Sequence, residues 1–70
     1  MTNWVKVYKS GNAIEAEMVK DMLIENEIEA VVINKIDSSL NFGEASVQVM
    51  AEKEQAALNI IQTNLLNNHE

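Results

Sequence analysis

WVKVYKSGNAIEAEMVKDML, Trp4 to Leu23, changes its hydrophobic period once, and where it changes decides the fold. Before the change, Val5 and Val7 alternate with Trp4, Lys6 and Tyr8. Period two predicts a strand over Trp4–Lys9 with the valines on one face and Trp4, Lys6 and Tyr8 on the other. After it, Ile14, Met18 and Met22 recur along one side of a helix over Ala13–Glu25, and Ala16, Val19 and Leu23 continue the apolar arc. The junction Lys9-Ser10-Gly11-Asn12 is a turn, in which Gly11 permits positive φ and Asn12 is an N-cap. Glu15 stands at the capping-box spacing from Asn12, and with Glu17 it suits the positive end of the helix dipole.

Working outward, Asn26 or Glu27 ends this helix, Asn26 tolerating the left-handed conformation of a cap. Ile28–Ile33 is dense in β-branched residues and reads as a strand largely covered on both faces. Asn34–Gly43 is irregular and longer than a hairpin needs; loops of that length frequently carry function. Ala45, Val47 and Val49 then alternate with Ser46 and Gln48, a strand over Glu44–Met50. Ala57, Leu58, Ile61 and Leu65, with Ile60 beside them, form the stripe of a second helix starting near Glu52. One domain over residues 1–66 with a frayed tail at 67–70 follows.

The order βαββα predicts an α+β sandwich. A right-handed crossover makes strands one and two parallel, and strand three inserts between them, antiparallel to both, in the order 1-3-2. Both helices then cover the face carrying Val5, Val7, Ala30, Val32, Val47 and Val49. This is a ferredoxin-like split βαβ arrangement without its fourth strand. Strand one keeps an open edge. The uncovered face holds Trp4, Tyr8, Val31, Ile33 and Met50, more apolar than a solvated face requires. With so small a core, that edge or face predicts a homodimer.

Composition narrows the function. The chain has 70 residues, 47% of them apolar, and no cysteine, which removes disulfides and thiolate chemistry. Its net charge is −6 and its five basic residues are all lysines, so binding to nucleic acid or to an anionic membrane would oppose its own field. No apolar run approaches a membrane span, and Met1-Thr2-Asn3-Trp4 lacks the regions of a signal peptide; a cytoplasmic protein is expected.

Catalytic and metal motifs fare poorly. Asp37, Ser38, Ser39 and His69 supply the residue types of a hydrolytic triad, but the histidine stands in the tail, where no base can be held against a nucleophile. One histidine and scattered carboxylates give no metal-ligand spacing. Lys9–Asn12 lacks the further glycines of a phosphate loop. No catalytic residue, metal or cofactor is expected. One arrangement remains: parallel strands one and two end at the same side of the sheet. That collects Lys9, Ser10 and Asn12 with Asn34, Lys35, Asp37, Ser38 and Ser39 where α/β proteins favour ligands. Lys9 and Lys35 would draw an anionic group, Asp37 and Ser38 would orient it, and Phe42 with Gly43 would fix the loop's return. The plain alternative is a polar loop that only closes the sandwich.

Trp4-Val5-Lys6-Val7-Tyr8, Asn12-x-x-Glu15-Ala16-Glu17, Ile28-Glu29-Ala30, Asn34-Lys35-x-Asp37-Ser38-Ser39 and Phe42-Gly43 together resemble a family of small bacterial domains. It is domain-of-unknown-function family two thousand and seven, labelled as signal-transducing proteins, and the resemblance covers nearly the whole chain. It implies a ferredoxin-like fold and a bacterial, cytoplasmic, non-enzymatic regulatory or interaction module with a protein or small-molecule partner. The alternative is a structural subunit of a larger complex. In such proteins a glycine commonly follows the first helix, where this chain has Glu27, and Ile36 stands where a polar residue is expected. The label also implies kinship with nucleotide-binding PII-type transducers. This chain has no arginine and no nucleotide-phosphate loop, so nucleotide sensing is not carried over.

Overall fold

The structure, a computed structural model, describes residues 3–37, 39–40 and 42–67, with side-chain surroundings as far as Asn64. The order is β1 Trp4–Ser10, α1 Ala13–Glu25, β2 Ala30–Asn34, β3 Ala45–Met50 and α2 Glu54–Asn67, the last entered through a 3-10 turn at Ala51–Lys53. The sheet runs β1-β3-β2, with β3 antiparallel to both neighbours, so the expected topology is met. Ala16, Val19 and Leu23 of α1 and Ala57 and Ile61 of α2 pack with Ala45, Val47 and Val49 in one core. Leu23, Val47 and Val49 are its largest fully buried side chains, each worth ~1.5–3 kcal/mol over exposure.

Within this frame several local expectations are corrected. A β-bulge lies between Lys6 and Tyr8. Val5 pairs with Val49 and Lys6 with Gln48, but Tyr8 then pairs with Val47, whose side chain is in the core. The extra residue, Val7, shifts the alternation by one. Tyr8 therefore leaves the face of Trp4 and Lys6 and packs under the helices.

The buried stripe of α1 is also narrower than its apolar arc. Ile14 is 72% exposed and Met18 66%, because three strands offer floor only for Ala16, Val19 and Leu23. Leu58 of α2 is likewise exposed, at 37%, and Ile33 of β2 at 38%, so the outer face of β2 is not covered. The side chain of Leu65 lies outside the described residues. Asn67 ends α2, and residues 68–70 of the expected tail lie outside the description.

Ile28 belongs to the end of α1 and not to a strand. Its N–H donates to the Leu23 carbonyl at 2.9 Å, and that of Glu27 to Ile24 at 2.9 Å, the paired bonds of a Schellman ending. The left-handed position falls on Glu27, at φ 66°, and not on Asn26, at φ −96°. Ile28 and Leu23, both buried, supply the accompanying apolar contact.

Candidate functional site

Ser10, Ala45 and Asn34 stand in one row across β1, β3 and β2, so the β1–α1 turn and the β2–β3 loop leave the sheet at the same end. The loop is more regular than its composition suggests. Beyond Asn34 the β2–β3 register continues: the Lys35 N–H donates to the Glu44 carbonyl at 2.9 Å, and Asp37 and Phe42 exchange backbone bonds at 2.7 and 3.3 Å. Residues 34–37 and 42–43 thus form a two-stranded arm projecting past the end of β1, with residues 39–40 in its turn.

Gly43 makes the arm possible. Its φ is 120°, and a Cβ there would stand 2.2 Å from the Lys35 carbonyl oxygen and 3.0 Å from the Ile36 Cα. No side chain fits such an approach. Gly11 has no such constraint: it lacks the positive φ expected of it, and the nearest atom to a Cβ, the Gly43 oxygen, is 4.0 Å away. Gly11, Phe42, Gly43 and Glu44 line a shallow cleft of about 390 Å³.

Four of the eight side chains expected to meet a ligand, those of Ser10, Asn12, Asn34 and Asp37, are engaged locally. Asn12 Oδ1 accepts from the N–H groups of Ile14 at 2.8 Å and Glu15 at 3.4 Å, capping α1. The reciprocal half of a capping box is relayed: Asn12 N–H donates to Ser10 Oγ at 3.0 Å, and the Ser10 hydroxyl donates to Glu15. Asn34 Oδ1 accepts from Ile36 N–H at 2.9 Å. Asp37 Oδ1 accepts from Ser39 at 3.0 Å and Leu40 at 3.4 Å, holding the tip turn. Ser38 lies outside the described residues.

The lysines differ. Lys6, facing the open side of the sheet, pairs with Glu44 at 3.0 Å. That hydrogen bond and charge hold the Glu44 carboxyl below its usual range, with Lys9 and Lys35 adding to the effect. Among the described residues, Lys9 and Lys35 form no ion pair of their own. Three of the chain's five lysines therefore gather around one carboxylate. Beside them the arm exposes Leu40 at 71% and Phe42 at 74%. Gly43 fixes the return of the loop as expected, but Phe42 is displayed, not packed. Sequence reasoning missed Leu40, Phe42 and Lys6. A leucine and a phenylalanine in a loop whose one other large apolar residue, Ile36, packs against the core were the available signal for the first two.

Of the residues expected to mediate self-association, Trp4, Val31, Ile33 and Met50 share the open face, and Tyr8 does not. Trp4 sits opposite Met50, while Val31 and Ile33 sit opposite Gln48 and Ser46. The apolar strip is thus diagonal, with Lys6 and Lys9 along its β1 side. Among the described residues, no three histidine, aspartate or glutamate side chains converge as metal ligands, and no helix is long and apolar enough to cross a membrane.

A search of curated proteins and of solved structures finds no match to this chain. Residues 4–64 do match a family profile, and the chain belongs to that family, described as "Putative prokaryotic signal transducing protein".

Proposed function

We propose that this chain is a non-enzymatic bacterial signalling module, working in the cytoplasm, that binds an anionic partner at the arm end of its sheet. The carrying observation is that Lys9 and Lys35, with no ion pair of their own among the described residues, share one end of the sheet with an arm that exposes Leu40 and Phe42. Exposed apolar side chains beside unpaired charge are the composition of a recognition surface: the apolar groups supply affinity and the charges supply orientation. Asn12, Asn34 and Asp37 are better read as the scaffold that holds the surface than as ligand contacts. The family description supports a signalling role without naming a partner.

The test is affinity capture from the native cell with the wild-type chain and a Lys9→Ala/Lys35→Ala/Phe42→Ala variant. All three positions are exposed, so the variant should keep its stability within ~1 kcal/mol while losing the captured partner. Retention of the partner at wild-type yield would leave the arm as architecture only.

A further inference from the structure

We propose that the groove between α1 and α2 docks a positively charged amphipathic helix of a partner protein. This surface lies on the helical layer and is independent of the arm. It encloses about 310 Å³, with Val19, Met22 and Ile61 giving it an apolar floor and Tyr8, Glu15 and Asn64 its polar atoms. Only one of those polar groups is charged, the Glu15 carboxylate. Asn64 donates one amide N–H to the Ile60 carbonyl at 2.9 Å, which leaves its oxygen and its second N–H to an occupant. Glu15 is a carboxylate already accepting from Ser10. The Tyr8 phenol stands partly buried on the same wall, its pKa raised by that burial first and by the Glu15 charge second. The groove's charged group is therefore an acceptor-only carboxylate, which a cationic donor satisfies best.

The rim selects an elongated occupant. Met18 lines the groove and Ile14 stands one turn before it on α1; both are largely exposed, and Ile14 carries the apolar strip beyond the cavity. A small organic cation would leave that strip wet, whereas a helix laid along the groove would cover it with residues at i, i+4 and i+7. Met18 and Met22 give the surface side chains that adapt to a partner's shape. Charge favours the same class. Residues 13–27 and 51–67, the helical layer with its turns, carry seven carboxylates against Lys20 and Lys53 alone, a field that steers a basic partner inward.

The probe is a synthetic amphipathic helix built only from leucine and lysine, titrated into the isotope-labelled chain, with a leucine–glutamate peptide of the same pattern as control. One-to-one binding of the lysine peptide is expected, with chemical-shift changes at Met18, Met22 and Ile61. Met18→Lys and Glu15→Gln should each weaken binding at least ~10-fold, whereas Asp21→Asn should change it less than ~2-fold, which separates a site from general attraction. Thermal melts establish that each variant is folded. Equal binding of the glutamate peptide, shifts centred on the open sheet face or the arm, undiminished binding by the Met18→Lys variant, or a self-associated form that fills the groove without peptide would each overturn the proposal.

Discussion

Glu27 is the one residue other than glycine with positive φ among the described positions, and it sits where a helix ending favours glycine. Replacing it should therefore help: Glu27→Gly is expected to raise unfolding stability by ~1 kcal/mol, read from urea denaturation, because the left-handed strain of a Cβ is removed. The two glycines should behave oppositely. Gly43→Ala drives a Cβ into the Lys35 carbonyl and should cost at least ~2 kcal/mol, whereas Gly11→Ala should fall within ~0.5 kcal/mol of wild type. Tyr8, the single tyrosine, makes a pH prediction. Its pKa is raised above 10.0, by burial first and by Glu15 second. Above that pH the unfolded chain has released the proton and the folded chain retains it, so the unfolded state binds fewer protons. Stability should be whole below pH 10, fall as pH rises from there through the folded pKa, and fall less in Tyr8→Phe. Ultraviolet titration of the folded protein should show the phenol ionising late.

The bulge at Val7 explains both the success and the failure of reading elements from periodicity. The apolar alternation of β3 could be read directly, since Ala45, Val47 and Val49 are all buried. That of β1 could not, because one extra residue reverses every side chain after it and no composition signal marks the insertion. Deleting Val7 would leave Lys6 outward and Tyr8 inward in unbroken alternation. Such a variant should fold with the same topology, and its circular dichroism should match wild type while its melting temperature drops by the loss of one partly buried valine. In α1 the sequence marks the apolar arc but not which part of it meets the sheet; that depends on the width of three strands. The ends of the arm were legible as loop residues, whereas its continued pairing was not, since backbone bonds such as Lys35 to Glu44 leave no side-chain pattern.

At the scale of the molecule, the order 1-3-2 followed from one period change and the handedness of crossovers, and needed no packing detail. The shared sheet end followed from the same topology. Which polar groups there stay available did not, because Asn12, Asn34 and Asp37 each cap a backbone a few residues away. Self-association remains a prediction for the open face: light scattering should give a homodimer, and Ile33→Asp should convert it to monomer without unfolding it. The charges sort by layer. Residues 3–12 and 28–50, the sheet with its arm and connections, carry three lysines against Glu29, Asp37 and Glu44, so nearly all the net charge of −6 resides with the helices. The protein is in effect a small electric dipole. On a cationic matrix or beside a basic macromolecule it would settle with its helices down, leaving the open sheet face uppermost and the hairpin arm accessible at its end, so that occupying one layer presents the other.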